Sequence, residues 1–253
     1  MGVNQKNMYE QYSSKKFLEF EDTCDYQDDE TLNEISKLDL KGVVVDIGCG
    51  YGWYLEALKP RFKKYIGIEP NDFLRGLAKK RGKELGINSK FLKGVAEKIP
   101  LEDRCADFVI TTYALNEIGN IENIRKALKE ILRISKPGAT WVICDLTGGS
   151  RDGYTKILNL VEINRGEKNN FPSELADMWI EIFLFLSKYA KIIYHKRVYF
   201  KYKFKNKRDA IEKTSAIIPD LKTNKKVLEA VKKFYKKPVL SCEGLFIVAK
   251  FKN

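Results

Sequence analysis

Two carboxylates and a run of glycines carry the chemistry legible in this chain. Val43-Val44-Val45-Asp46-Ile47-Gly48-Cys49-Gly50-Tyr51-Gly52 places three β-branched residues before an acid, then glycine at every second position. β-branched residues suit a buried strand, and glycine lets a ligand approach the backbone where a Cβ would collide. Trp53 to Leu58 has no breaker and reads as the first turns of a helix. Strand, glycine loop and helix start together make a cradle for a nucleotide or cofactor, with backbone N–H groups facing the ligand. Glu69 ends the short apolar run Tyr65-Ile66-Gly67-Ile68. It follows Asp46 by about 23 residues, near the interval at which a strand-end carboxylate meets a ribose, whose adjacent hydroxyls match its two oxygens.

Further candidates lie downstream. Glu117, in the short Asn116–Gly119 turn, has the position of a general base and equally that of a helix-start carboxylate favoured by the helix dipole. Asp145 closes the run Trp141-Val142-Ile143-Cys144-Asp145 and is the second acid candidate. His195 is the one histidine of the chain; it sits mid-strand among alternating aromatics, and a structural or surface role is expected. The five cysteines are far apart and never in C-x-x-C, so neither a disulfide framework nor a catalytic metal is expected. Cys49, inside the glycine loop, is expected to pack.

The elements that must position these residues alternate. Strands are expected at 43–47, 65–69, 90–94, 107–112 and 141–145, with helices at 71–85 (capped by Asn71 or Asp72) and 121–134. The last is stopped by Ser135-Lys136-Pro137-Gly138. Such alternation predicts an α/β fold, a parallel sheet with helices on both faces and right-handed crossovers. After residue 147 the pattern changes. Helices are expected at 154–163 and 173–190, the second so apolar that both its sides should be covered. A long alternating strand at 192–204, helices at 208–218 and 224–236 and a closing strand at 244–249 follow. Residues 1–40 read as a helical cap over the mouth of the core, with Thr31 and Glu34 able to form a capping box.

With an acid two residues ahead of the first glycine, D-x-G-x-G-x-G departs from the dinucleotide G-x-G-x-x-G and resembles motif I of the class I S-adenosylmethionine (SAM) methyltransferases. Val95-Ala96-Glu97-Lys98-Ile99-Pro100-Leu101, Ala106-Asp107-Phe108-Val109-Ile110, Tyr113-Ala114-Leu115 and Glu130-Ile131-Leu132-Arg133-Ile134-Ser135-Lys136-Pro137-Gly138 follow in order. They look like the later motifs of small-molecule methyltransferases of the ubiquinone and menaquinone biosynthesis type, over residues 40 to 147. The resemblance implies a Rossmann-like class I fold, a seven-stranded, mostly parallel sheet whose last strand inserts antiparallel beside the fifth. It implies SAM as cofactor, S-adenosylhomocysteine as product, and methyl transfer to an O, N or C atom of a small molecule.

The resemblance also assigns roles. Asp46 and the loop Gly48, Cys49, Gly50 and Gly52 would face the methionine part of SAM, and Glu69 its ribose. Pro70, Val95, Ala96 and Glu97 would border the adenine. Val95 stands where relatives commonly have an acid, which leaves Glu97 or a water for the adenine amine. Thr111, Thr112 and Tyr113, at the tip of the fourth strand, would hold the amino-acid end, and Tyr12 of the cap would complete the cofactor site. Many relatives have histidine where this chain has Asn116-Glu117. Asn116, Tyr154 and Trp179 are expected to face the acceptor, with residues 147–204 and the cap forming its pocket.

Length and composition agree. A chain of 253 residues, 44% hydrophobic and 12% aromatic, is expected as one methyltransferase domain: cap 1–40, SAM-binding core 41–147 and a substrate-side part 148–253. No apolar run reaches the length of a membrane span, no signal peptide is legible, and a cytoplasmic location is expected. The net charge of +12 is concentrated late: from Lys191 onward there are 18 Lys and Arg against five acids. A solvated lysine surface gives this balance, and so does a surface for tRNA or another polyanion, with Tyr194, Tyr199 and Tyr202 interleaved among cations. A SAM-binding regulator without catalysis is the reading from another class.

Overall fold

The computed structural model describes residues 15–24, 29–58, 61–149, 152–166 and 171–253. Tyr12 and the first fourteen residues of the expected cap lie outside the described residues. Among the described residues two short helices precede the sheet, α1 (Lys15–Glu21) and α2 (Glu30–Ser36). The core then alternates through β1 (Val43–Ile47), α3 (Leu55–Leu58), β2 (Lys64–Ile68), α4 (Asp72–Glu84), β3 (Ser89–Leu92), β4 (Ala106–Thr112), α5 (Ile121–Ile134) and β5 (Ser135–Leu146). Helices α6 (Gly153–Arg165) and α7 (Phe171–Tyr189), strand β6 (Ala190–Lys203), helices α8 (Lys207–Thr214) and α9 (Lys225–Phe234) and strand β7 (Val239–Phe251) complete it.

The strands form one seven-stranded sheet in the order β3-β2-β1-β4-β5-β7-β6. β1 to β5 pair in parallel; β7 lies antiparallel between β5 and β6. This is the Rossmann-like arrangement expected, with β7 where the resemblance put it. The central strands β1 and β2 carry almost unbroken buried runs, Val44 to Ile47 and Tyr65 to Ile68, because both faces of a parallel sheet are covered. Trp141, wholly buried on β5, anchors one face; its ring stacks on that of Phe251 of β7 and its indole N–H donates to Thr111 Oγ1 at 3.1 Å.

Local signals place most helix starts. Asn71 caps α4 by accepting from the Phe73 and Leu74 amides, and Asn120 and Asn224 cap α5 and α9 in the same way. α5 is bound to the preceding loop by Arg133, which donates to the carbonyls of Ile99 and Leu101 and pairs with Asp103 and Glu130, while Glu130 accepts from the Ile99 amide. This clasp explains the acid and the arginine in the Glu130-to-Arg133 motif.

Three expectations are corrected. α2 is capped by Asp29, whose Oδ1 accepts from the amides of Thr31 and Leu32; the hydroxyl of Thr31 and the carboxylate of Glu34 bond elsewhere, to Tyr113 and to Lys37 and Lys196. The helix after the glycine loop begins at Leu55, because residues 51–54 are spent turning the chain. And α7 is covered on one side only: Leu175, Met178, Trp179, Ile182 and Leu186 are buried, while Ile180, Phe183 and Leu184 are exposed. Being apolar all round does not by itself supply a second neighbour.

Candidate active site

One cavity joins many of the residues singled out in the sequence. It opens at the carboxyl ends of β1, β2 and β4, where the strand order reverses between β1 and β4, the switch point at which doubly wound sheets bind ligands. One half is lined by Asp46, Gly48, Cys49, Gly50, Glu69, Pro70, Val95, Ala96, Glu97, Thr112 and Tyr113. The other half runs beneath the cap, where α1, α6 and β6 close over it, and includes Phe17, Glu21, Tyr154, Phe200 and Tyr202. Asn116 and Glu117 also line the cavity, and Asn116 Nδ2 donates to Glu117 Oε1 at 3.3 Å.

The glycine loop works differently from the expectation. Gly48, Gly50 and Gly52 all take positive φ. Their amides are used within the protein: Gly48 and Cys49 donate to the carbonyl of Ile68, Gly50 to Glu69 Oε2 and Gly52 to the Cys49 carbonyl. What the loop gives the cavity is space. A Cβ on Gly50 would meet no atom within 4 Å, whereas one on Gly52 would stand 2.5 Å from Leu55 Cδ1 and close to Ala78. Gly52 is therefore a packing residue beneath the loop and not a ligand contact. Cys49 is buried, with Sγ filling the place of a Gly67 side chain, the packing role expected of it.

Glu69 stands just past β2, fixed at both oxygens: Oε1 accepts from the Asn71 amide at 2.8 Å and Oε2 from Gly50 at 3.0 Å. Burial raises its pKa against these bonds. Each oxygen keeps a lone pair for a further donor, as two ribose hydroxyls would require. Asp46 is almost wholly buried, and Oδ2 accepts from the Tyr65 hydroxyl at 2.5 Å. Its Oδ1 has no hydrogen-bond partner among the described residues. Burial pushes its carboxyl up to about 7, with the nearby Glu69 carboxylate adding to the rise. An orphaned, buried acceptor aimed at a cavity calls for a donor or cation.

Several assigned residues move. Thr111 is wholly buried on β4 and its hydroxyl is taken by Trp141, so it does not reach the cavity. Trp179 belongs to the core under β5, its indole N–H donating to the Leu146 carbonyl at 2.8 Å, and it does not face the acceptor half. Asp145 is wholly buried behind the cavity wall. Its Oδ2 accepts from the amides of Leu115 and Asn116 and its Oδ1 from Leu146, so it shapes the turn that carries Asn116 and Glu117. Burial pushes it up to about 7. It is a positioning residue, not a base at the mouth. His195 is exposed on β6, apart from the cavity lining.

Tyr113 has φ +50 at the tip of β4, an uncommon conformation for a residue with a Cβ. Its amide donates to the Cys144 carbonyl, and its hydroxyl lies 2.8 Å from Thr31 Oγ1 of α2, which ties the cap to the sheet. Sequence reasoning gave the cap a share of the acceptor pocket without naming its residues: Phe17, Phe20, Glu21, Cys24 and Asp29 all line the cavity. No motif marks them. Asp29 also accepts from the Trp53 indole at 3.4 Å, joining the cap to the glycine loop.

With this geometry in view, relatives carry weight. Residues 45–143 match the family described as "Methyltransferase domain". The matched segment runs from β1 to β5, the part of the sheet that bears the cavity. The chain is 29% identical over 103 residues to the uncharacterized methyltransferase YcgJ of Bacillus subtilis, covering 40% of each chain. Over 127 residues it is 31% identical to the ubiquinone/menaquinone biosynthesis C-methyltransferase UbiE of Campylobacter jejuni, 47% of this chain and 49% of that one. The matched segment thus spans less than half of these curated relatives. The crystal structure of YcgJ covers 88% of this chain and 98% of its own, at 17% identity and a TM-score of 0.58, which shows the same fold.

SAM is the cofactor of such a domain, and the residues present fit it. The orphaned Asp46 Oδ1, the two-point anchored Glu69 and the open face of Gly50 suit a ligand with cationic groups and a ribose diol. Among the described residues, those lining the cavity include six carboxylates, Glu21, Asp29, Asp46, Glu69, Glu97 and Glu117, and no Lys, Arg or His.

Proposed function

We propose that this chain is a SAM-dependent methyltransferase acting on a small, largely apolar molecule, with residues 1–253 as one working unit in the cytoplasm. The observation that carries the reading is the continuity of one cavity from Asp46 and Glu69 to an aromatic chamber beneath the cap. Bound SAM supplies an electrophilic methyl group on a sulfonium. The chain's own contribution is alignment, which provides most of the acceleration in an in-line displacement. Asp46, Glu69, Pro70, Val95, Ala96, Glu97, Thr112 and Tyr113 hold the cofactor; Asn116, Glu117 and Tyr154 face the acceptor. Glu117 takes a proton where the acceptor must lose one. UbiE and the sterol 4-C-methyltransferase of Caenorhabditis elegans, another relative at 32% identity over 104 residues, are named for quinone and sterol methylation. Their names agree with an apolar acceptor.

Thermal shift with SAM, S-adenosylhomocysteine, NAD and ATP tests this reading, since a ligand that binds only the native state raises the melting temperature. SAM and its product should stabilise the protein, and Asp46→Ala and Glu69→Ala should lose the shift. A shift with NAD alone, or none at all, rejects it.

A polyanion acceptor such as tRNA is the second reading. It draws support from exposed cations on and around α8 and α9, among them Lys207, Arg208, Lys225, Lys226, Lys232 and Lys233. Salt-dependent binding of bulk tRNA would favour it.

A further inference from the structure

We propose that the acceptor half of the cavity selects a basic nitrogen: the acceptor has an apolar or aromatic body and a protonated amine head, held by Glu21 between aromatic rings. The inference rests on the methyltransferase reading above and names the chemistry of its second substrate.

Glu21 is the last residue of α1 and lines the acceptor half of the cavity. One of its oxygens, Oε1, accepts from the Tyr202 hydroxyl at 3.2 Å, and Oε2 has no partner among the described residues. The carboxyl is thus oriented by one hydrogen bond and still has acceptor capacity to offer. Burial pushes it up to about 7 against the Tyr202 bond, with Asp22 and Asp29 adding to the rise. Among the described residues that line the cavity it meets no positive partner.

The surroundings favour the same guest. Phe20 and Tyr202 meet with ring centroids 4.4 Å apart, Tyr202 and Phe200 at 5.7 Å, and Phe200 and Tyr113 at 5.1 Å. This row of rings runs from the cap to the tip of β4, and Phe17 and Tyr154 also line the cavity. Aromatic faces attract cations, and a desolvated ring near a carboxylate does so more strongly. An anionic head would meet only repulsion, for no Lys, Arg or His is among the described residues that line the cavity. The contrast with the +12 charge of the whole chain shows that this is local arrangement and not bulk composition. Tyr154 feels the charges of both Glu117 and Glu21. Tyr154, Asn116, Glu117 and Glu21 all line this one cavity, which an elongated acceptor would occupy.

Isothermal titration of the S-adenosylhomocysteine-loaded protein with three probes of one shape tests the proposal: 2-phenylethylamine, 2-phenylethanol and phenylacetate. The amine should bind at least about tenfold tighter than the alcohol, as a charge-assisted bond to a half-buried carboxylate allows, and phenylacetate should bind weakest. Glu21→Gln should erase the preference for the amine and leave the affinity for S-adenosylhomocysteine unchanged. Equal binding of amine and alcohol, tighter binding of phenylacetate, failure of all three probes, or a preference that survives in Glu21→Gln each overturns the proposal. The wild-type series decides without the variant. If S-adenosylhomocysteine itself does not bind, the methyltransferase reading fails first and the proposal with it; if it binds and the probes show no preference, only the proposal fails.

Discussion

The hydroxyl of Tyr65 on β2 donates to Asp46 Oδ2 on β1 at 2.5 Å and leaves Asp46 Oδ1 buried without a partner. One carboxylate is thus held by its neighbour strand and offered to the cavity by its other oxygen. Burial raises its pKa from 3.8 to about 7, and the Tyr65 bond pulls the other way. The native state therefore binds a proton more tightly than the unfolded chain does. Its contribution to stability is largest at low pH and falls as pH rises from about 4 through about 7.

A cationic cofactor reverses this dependence, because it binds the ionised form. The affinity for SAM is expected to increase between pH 6 and pH 8 in wild type. Tyr65→Phe removes the bond that favours the ionised carboxyl, so the midpoint should move to higher pH, and Asp46→Asn should flatten the profile. Titration calorimetry at several pH values checks all three.

Gly50 and Gly52 separate ligand space from packing. Gly52→Ala places a Cβ 2.5 Å from Leu55 Cδ1 at φ +80 and should lower stability by about 2 kcal/mol. Gly50→Ala meets no protein atom, so its stability cost should be only the about 1 kcal/mol of a left-handed backbone. Its effect should fall on cofactor affinity, since the methyl would project into the cavity. Denaturant melts and SAM titrations of the two variants should therefore sort in opposite orders.

Asp145 and Glu117 separate positioning from chemistry. Asp145→Asn turns part of an acceptor of three amides into a donor and should destabilise the fold by about 2 kcal/mol. Glu117 lines the cavity, and Glu117→Gln should leave the melting temperature nearly unchanged while lowering turnover at least about a hundredfold if the acceptor must lose a proton. An activity loss in Asp145→Asn that is rescued at lower temperature would mark its effect as structural.

Arg133→Ala should release the 99–104 loop from α5 and cost about 1–2 kcal/mol, discounted for the partial exposure of the guanidinium. Arg133→Lys should not restore it, because one ammonium cannot reach two carbonyls and two carboxylates in a planar fork. Hydrogen exchange of the Arg104 and Cys105 amides, bonded to the Arg133 and Ile134 carbonyls, reads the release directly.

The chain itself determined whatever depends on neighbours in sequence. Alternating strand and helix patterns, asparagine caps and the glycine loop after Val43–Ile47 led to a parallel sheet covered on both faces, and the resemblance to class I methyltransferases placed β7 beside β5. Asp46 and Glu69, read from spacing, and Val95 to Glu97 and Tyr113, read from the resemblance, meet around one cavity because a parallel sheet brings its strand ends to one edge. What only the tertiary structure decided depends on which way a side chain turns and what meets it. Thr111 and Thr112 are adjacent, yet strand alternation sends the first to Trp141 and the second to the cavity. Asp145 is drawn inward by the Leu115 and Asn116 amides of the turn after β4 together with that of its neighbour Leu146, and Trp179 by the Leu146 carbonyl. The acceptor chamber left least trace: Glu21 and Tyr202 are 181 residues apart, and no local pattern encodes a contact made when a cap folds back over an edge strand.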